Sequence, residues 1–363
     1  MSSSAPNSSS NLDQLRAIAV VVVMIDHLIP TLQYHDVPVS DLMHGLTMHI
    51  GHAGVLAFFV HTSLVLMHSL ERMAAQNPQG LTARFYLRRA FRIYPLAVFV
   101  ILLVLLLGLP DATWRPGNEF TGKAITANLL LIQNIITGQS VLVPLWSLPY
   151  EVEMYVVLPL LYFLARQARG AQIIATALLL SYFGAYALYK LDGGHMNLAG
   201  YVPCFLAGVL CYTLRDRVRP FVPGVAWFPF VLVAVGAYCV GLMESDVLIY
   251  WQGWLYALMI GLSINVFRDS QVRWLNRACF HVATYSYGLY LLHVPVLHLV
   301  FGLWKPDSLL LGLAAFLALA AIASVAAYHL IEAPMVSLGR RLTERTRRPE
   351  LVPGTAPSVT QAR

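Results

Sequence analysis

Long apolar stretches recur along the chain, and most are long enough to cross a membrane as a helix. Because the hydrocarbon core of a bilayer is about 30 Å thick, one crossing needs about 20 apolar residues. The pattern predicts ten helical spans, at 12–32, 50–70, 88–108, 147–165, 171–189, 199–214, 226–243, 247–267, 281–303 and 308–332. A further apolar stretch, 124–143, is interrupted by Asn, Gln, Thr and Gly residues. This stretch is either an eleventh span or a re-entrant or interfacial segment.

The positions of the basic residues favour the second alternative. Most of the 24 Lys and Arg residues lie in alternate loops, at 72–92, 166–169, 215–219 and 268–277, and beyond residue 339. Cytoplasmic loops of membrane proteins carry an excess of Lys and Arg. A full crossing at 124–143 would move every later basic loop to the opposite side. We therefore predict an all-α polytopic bundle of about ten transmembrane helices with one re-entrant or interfacial segment and both termini in the cytoplasm.

The composition excludes a soluble globular protein. Of 363 residues, 58% are hydrophobic and only 12% are charged, and the mean hydropathy is +0.65. Soluble domains carry about 25% charged residues. The basic residues are scattered singly between apolar stretches, so membrane topology explains the net charge of +6 better than a nucleic-acid partner does. The four cysteines have neither disulfide-framework nor zinc-ligand spacing.

The chain divides by composition into three parts. Residues 1–10 are polar and are expected to form a disordered tail, 11–335 form the membrane domain, and 336–363 form a basic cytoplasmic tail. Asn11 and Gln14 have the spacing of a capping box, which predicts that the first helix begins near Leu12. No signal-peptide cleavage site follows this first apolar run, so we expect a retained membrane helix.

Ionisable residues within membrane spans are costly and are usually functional. Arg16 and His27 lie eleven residues apart in the first span, on nearly one helix face and separated by ~16 Å along its axis. The alternative is that Arg16 extends to the membrane surface and His27 is interfacial.

A second basic feature is the segment RRAFRIYP. Here Arg89 and Arg92 share a helix face at the entrance to the third span. Guanidinium groups bind phosphate in a bidentate manner, which would make this pair a phosphate clamp. Positive charge next to a cytoplasmic membrane surface is the simpler explanation.

Two further segments place a carboxylate or an imidazole within the membrane. In LWSLPYEVEMYVVLP, Glu151 precedes Tyr155 by one turn, and we favour Glu151 over Glu153 for a buried role. In YSYGLYLLHVPV, His293 lies in the middle of a span, where a histidine can also be an ordinary core residue. Glu332, at the cytoplasmic end of the last span, would form an ion pair with a basic neighbour.

No metal site is expected. His44, His49, His52, His61 and His68 have no carboxylate or thiol at ligand spacing.

Taken together, these motifs resemble those of the acyltransferase-3 family of integral membrane acyltransferases, over roughly 11–335. The chain is similar to the family's LDxLRaxA start followed by His, to RRxxRIxP, to LWSLxxExxxYxxxP, to SYxxYLxHxP and to IERP, where it has Ala333 in place of Arg. Many relatives carry GVDLFFVxSGF in the second span, whereas this chain reads GVLAFFVHTSL, with Leu56 at the aspartate position, Thr62 at the serine position and Ser63 at the glycine position. The acceptor would then differ from that of the commonest members.

The resemblance implies transfer of an acyl group, most simply acetyl, from cytoplasmic acetyl-CoA to a hydroxyl of an envelope carbohydrate or glycolipid, in a bacterial inner membrane. The implied catalytic residues are His27, Glu151 and Arg16, and Arg89 and Arg92 would bind the acyl-CoA. His293, Glu332 and Tyr155 are further site candidates. We expect His27, Glu151 and His293 in the outer half, and the arginines and Glu332 in the cytoplasmic half.

Two rival functions remain open at this stage. The first is a transporter or exporter of a saccharide or lipid-linked substrate, although no internal repeat is evident. The second is an inactive acyltransferase-like protein, against which the retained Arg16, His27 and Glu151 argue.

Overall fold

The computed structural model describes residues 9–34, 37–47, 49–109, 120–191, 197–243 and 249–345. Within these ranges the secondary structure is helical, apart from an isolated bridge between Val222 and Phe267. The α-helices are α1 (Ser10–Tyr34), α2 (Asp41–Leu46), α3 (His49–Gln76), α4 (Leu81–Leu107), α5 (Gly122–Leu129), α6 (Gln133–Ile136), α7 (Leu148–Ala165), α8 (Gly170–Leu191), α9 (Val202–Leu214), α10 (Trp227–Met243), α11 (Ile249–Ile264), α12 (Arg273–Leu297), α13 (Leu309–Ala327) and α14 (Ala333–Arg345). Two π-helical segments, His298–Trp304 and Tyr328–Glu332, extend α12 and α13.

The prediction of an all-α membrane bundle is confirmed. A helix lies at each of the ten predicted spans, and in the described part of the chain eight of these are long and apolar enough to cross a membrane. The other two are α9, with 13 residues, and α11, with 16. At 1.5 Å per residue, α9 is about 20 Å long, which is shorter than the bilayer core. It lies inside the bundle, packed against α3, α8 and α11, with most of its side chains buried.

The segment 124–143 folds as a hairpin and not as a membrane-spanning helix. Short helices α5 and α6 are followed by a 3₁₀ turn, Val143–Ser147, that leads into α7. Asn128 holds the hairpin: its buried amide nitrogen donates to the carbonyls of Ala124 and Gln139, and its oxygen accepts from the Val141 amide. The prediction of a re-entrant or interfacial segment agrees with this geometry.

Several of the arginine-rich loops meet at one end of the bundle, which we call the basic end. Arg88 donates to Thr343 of α14, with a nitrogen–oxygen distance of 2.9 Å. Arg215, after α9, forms an ion pair of 2.7 Å with Glu71 at the end of α3. The loop before α12 also lies at this end, because Asn11 at the start of α1 donates to the Arg268 carbonyl. This grouping is the one that the positive-inside rule required.

The first helix begins differently from the sequence-based expectation. Asn11 and Gln14 do not form a capping box, because their side chains bond to the segment before α12 and to α12 itself. The Asn11 oxygen accepts from the Ser270 amide at 3.0 Å, and the Gln14 amide donates to Asn276 at 2.7 Å. The two residues have the spacing of a capping box, but both side chains form hydrogen bonds with residues that are distant in the sequence.

The predicted tails lie only partly within the described residues. Residues 1–8 and 346–363 lie outside them. Ser9, expected in the disordered tail, donates a hydrogen bond to Asp269, and α1 already begins at Ser10. The range predicted as a basic tail begins within α14, which packs against α4.

Candidate active site

Helices α1 and α12 run side by side in the same direction, and two of the polar contacts between them involve predicted site residues. The Nε of Arg16 donates to the Ser286 hydroxyl at 2.6 Å. Two to three turns further along both helices, the Nδ1 of His27 lies 2.9 Å from the Nε2 of His293. The structure therefore brings His293 to His27, two residues predicted from different segments, and places Arg16 about three turns before His27, beside Ser286.

The hydrogen bonds of the histidine pair fix where its protons lie. His293 is fully buried, and its Nδ1 is 2.9 Å from the Leu289 carbonyl, which can only accept a hydrogen bond. In the neutral pair, the Nδ1 of His293 therefore carries the proton and its Nε2 accepts one from the Nδ1 of His27. This arrangement leaves the Nε2 of His27 with a free lone pair, which is what a general base needs.

Arg92 and Glu332 form a buried ion pair at the basic end. The Arg92 Nη1 and Glu332 Oε2 are 2.6 Å apart, and the Glu332 side chain has no exposed surface. Glu332 is the last residue of the π-helical segment that follows α13, and such segments are frequent at functional sites. Arg92 also lies 5.7 Å from the ring centre of Tyr287. The expected basic neighbour of Glu332 is thus Arg92, one of the three arginines of RRAFRIYP.

Arg89, one turn before Arg92, has a different environment. Its buried Nε has no hydrogen-bond partner among the described residues, and its side chain lines two cavities. The two arginines share a face as predicted, but Arg92 is bound to protein and Arg89 retains a free donor.

Glu151 lies deeper in the bundle than expected. It accepts a hydrogen bond of 2.7 Å from the Tyr155 hydroxyl and lines a cavity together with Arg16, Arg89 and Arg92. We had expected it in the outer half with His27. The difference arises because the hairpin folds back toward the bundle before α7 begins, so that Ser147 already bonds to Tyr290 of α12 at 2.7 Å. Glu153 instead accepts from Asn134 of the hairpin.

Three cavities lie end to end through the bundle. The inner cavity, about 910 Å³, opens at the basic end and is lined by five arginines among other residues: Arg16, Arg72, Arg89, Arg92 and Arg340. The central cavity, about 110 Å³, contains Glu151 and Tyr155. The outer cavity, about 390 Å³, contains His27. We call the residues that line both the inner and central cavities the throat: Arg16, His61, Val65, Arg89 and Arg92.

The outer cavity has an aromatic wall that the sequence did not reveal. Trp146 and Tyr201 line it, with ring centres 5.7 Å apart, and Tyr290 connects it to the central cavity. His52 also lines it and is held by Tyr238, whose hydroxyl is 2.7 Å from the His52 Nδ1. No Lys or Arg is among the described residues that line it. Of these residues, Trp146 lies within LWSL, so the motif was the available signal.

The described histidines are not arranged as a metal site. Within the described ranges, no three His, Cys, Asp or Glu residues are grouped so as to hold a metal ion. His68 lies 3.7 Å from Glu71, and His61 lies in the throat. The side chain of His44 is outside the described residues.

Comparison with known protein families gives the same interpretation as these motifs. The family profile described as an acyltransferase domain matches residues 9–329, which is nearly the whole chain. The chain belongs to the acyltransferase-3 family. Of the site residues discussed above, Glu332 and Arg340 lie beyond the matched region.

A more distant similarity links this acyltransferase-3 member to a curated protein. It is 29% identical over 163 residues to the acyltransferase MdmB of Streptomyces mycarofaciens. The aligned part covers 43% of this chain and 40% of that protein, so the match spans less than half of either. No solved structure matches the chain.

Two of the three departures from the common acyltransferase-3 pattern in α3, Leu56 and Ser63, lie in helix contacts. Leu56, at the usual aspartate position, is buried and packs against Gly253 of α11. The approach is so close that a Cβ added to Gly253 would lie 2.8 Å from the Cδ1 of Leu56. Ser63 is buried against Gly208 of α9 and donates to its own helix backbone. Neither residue lines the three cavities. Thr62, at the usual serine position, does line the central cavity.

Proposed function

We propose that this protein transfers an acyl group, most simply acetyl, from acyl-CoA at the basic end to a hydroxyl of an envelope carbohydrate or glycolipid at the opposite end. The observation that carries the proposal is the line of cavities that joins an arginine-lined entrance to His27. Membership of the acyltransferase-3 family and the similarity to an acyltransferase support the reaction class.

The basic end suits the nucleotide of the donor. Of the described residues lining the inner cavity, five are arginines, and Asp13 and Glu71 are the carboxylates. Glu71 is already paired with Arg215, so the lining retains an excess of positive charge. Guanidinium groups bind phosphate oxygens through charge-assisted hydrogen bonds. By the positive-inside rule, this end would face the cytoplasm of a bacterial inner membrane, where acyl-CoA is present.

The opposite end suits an uncharged acceptor. The outer cavity offers aromatic surfaces from Trp146 and Tyr201 and hydrogen-bonding groups from His27 and His52. A few polar groups on a largely apolar wall are typical of sites that orient a small neutral ligand. A sugar ring has both features that this wall can contact, because its C–H faces pack on aromatic rings and its hydroxyls form hydrogen bonds.

In the proposed reaction, His27 acts on the acceptor hydroxyl. The Nε2 of His27 accepts the hydroxyl proton while the oxygen attacks the thioester carbonyl carbon. The carbon–sulfur bond then breaks, and the proton passes from His27 to the leaving thiolate, so that the products are an ester and free CoA. His293 is a positioning residue, because its hydrogen bond sets the tautomer of His27. The ~16 Å from Arg16 to His27 would be bridged by the pantetheine arm.

The proposal is tested by separating donor binding from transfer in purified full-length protein. His27→Ala should lower the rate of acceptor acylation roughly 10²–10⁴-fold and leave acetyl-CoA affinity unchanged. Arg89→Ala should weaken acetyl-CoA binding at least about tenfold, since a hydrogen bond to a charged group contributes about 1.5–3 kcal/mol. Acylation is followed by mass spectrometry of envelope glycans and glycolipids.

The controls decide between the alternatives. Arg277→Ala, at an arginine outside the three cavities, should behave as wild type in both assays. Near-normal acylation by His27→Ala would remove His27 from the mechanism. Saccharide uptake into vesicles without acetyl-CoA consumption would favour the transporter.

A further inference from the structure

His61 is a buried imidazole in the throat, and the mechanism above does not use it. It is 6% exposed and lines both the inner and the central cavity. It forms no hydrogen bond with a described residue. Two other histidines of the same helix have partners: His52 has Tyr238, and His68 has Glu71.

The ring nitrogens of His61 are not among the enclosed atoms that lack a partner in the described part of the chain, so they are open to water or a ligand in the two cavities. An enclosed polar group without a partner is rare in native structures and often belongs to a binding or catalytic site. Arg89, in the same throat, also has an unpartnered Nε within the described part of the chain. Two unpartnered groups therefore face one constriction, which indicates that a ligand completes their hydrogen bonding.

The rest of the throat points to an anion. Arg16 donates its Nε hydrogen to Ser286, and Arg92 is neutralised by Glu332. The charge of Arg89 has no such ion-pair partner among the described residues. An imidazole carries at least one N–H in every protonation state that occurs in proteins. The two groups can therefore donate to neighbouring oxygens of one anionic ligand.

The position of the throat identifies which part of the donor would lie there. His52, nine residues before His61 on α3, lines the outer cavity with His27, about 14 Å away along the helix. If the thioester is at His27 and the pantetheine arm occupies the intervening space, the group at the throat is the diphosphate. We propose that His61 is a donor-binding residue that gives a ring N–H to the diphosphate of acyl-CoA. This inference rests on the proposed function.

The test compares two donors in full-length protein: acetyl-CoA, and acetyl-pantetheine, which lacks phosphate. His61→Ala should raise the KM and the dissociation constant for acetyl-CoA about tenfold, with kcat changed less than about threefold. The kcat/KM for acetyl-pantetheine should stay as in wild type. His61→Gln keeps an N–H donor and should recover most of the acetyl-CoA affinity.

His281→Ala is the control, because His281 of α12 is exposed and lines none of the three cavities. It should leave acetyl-CoA binding within about twofold of wild type. Equal acetyl-CoA binding by wild type and His61→Ala would overturn the proposal and leave the acyltransferase function intact. Equal losses with both donors would also overturn it, as would a folded His61→Gln variant as weak as His61→Ala. Absence of acetyl-CoA binding by wild type would instead refute the proposed function.

Discussion

At the scale of single residues, the carboxylate of Glu332 is a charge whose burial is costly in free energy. It is enclosed by protein, and Arg92 is its counter-charge. Removing one partner of a buried ion pair leaves an uncompensated charge and costs about 3–5 kcal/mol, whereas replacing both by apolar residues is often neutral. Arg92 therefore has two possible roles, one in folding and one in donor binding. A single substitution cannot separate them.

We expect Arg92→Ala to lower the stability of the purified protein by about 3–5 kcal/mol, because Glu332 loses its partner. The double variant Arg92→Met with Glu332→Leu should recover most of that loss. Thermal unfolding in detergent, followed by size-exclusion chromatography, measures both effects. If Arg92 also binds the donor, the recovered double variant still binds acetyl-CoA about tenfold more weakly. A single variant as stable as wild type would show that the ion pair contributes nothing to folding.

At the scale of helices, close approach between α3 and its neighbours positions the histidines. α3 carries His52 toward the outer cavity and His61 into the throat. Gly208 of α9 lies against the Val60 carbonyl and the Ser63 side chain, with no room for a Cβ. Gly51 of α3 likewise lies against the Asp26 side chain of α1, and its amide donates to the Asp26 carboxylate at 3.1 Å. Small residues thus set the distances between helices, as is usual within membranes.

Gly208→Ala should destabilise the protein by about 1–3 kcal/mol, the usual cost of overpacking, because the new methyl group meets backbone that cannot move aside easily. Gly236→Ala in α10 is the control. Nothing lies within 4 Å of a Cβ at that position, so the change should be neutral or stabilising by up to about 1 kcal/mol. The melting midpoints in detergent report both. Equal midpoints for the two variants would contradict the packing of α3 on α9.

At the scale of the whole molecule, the line of cavities has a direction. The inner cavity lies at the basic end, and the outer cavity lies beside His27. Donor and acceptor would then approach from opposite sides of the membrane and meet within the bundle. The central cavity, at about 110 Å³ the smallest of the three, is the narrow point between the two entrances.

The predicted orientation can be measured by labelling introduced cysteines with a membrane-impermeant thiol reagent. The four native cysteines are buried, so the background should be low. A cysteine at position 123, at the start of α5, should be labelled in intact spheroplasts. A cysteine at position 217, after α9, should be labelled only after permeabilisation. Both positions are exposed. Labelling of position 217 from outside would overturn the orientation and place the donor entrance on the wrong side.

The sequence by itself determined the class of fold and the grouping of charge. Apolar stretches of span length make membrane helices because unpaired backbone groups are costly in lipid, and this depends only on local sequence. The basic loops showed that 124–143 does not cross. The spacing of Arg89 and Arg92 placed both on one face, because helical periodicity is also local.

Only the tertiary structure decided which side chains meet. The contact between His27 and His293 joins residues 266 positions apart. The periodicity of one helix shows which of its residues share a face, but it does not show which residue of another helix that face will contact. Glu151 lies at the end of an apolar stretch, which by itself predicts a position near the membrane surface. Its depth in the bundle depends instead on the hairpin that Asn128 holds together. In the sequence, His61 is one histidine among apolar residues. Only the surrounding helices place it in the throat, where its ring has no hydrogen-bond partner among the described residues. Hydropathy determines which segments are buried, but hydrogen bonds and packing between distant segments determine which side chains contact each other.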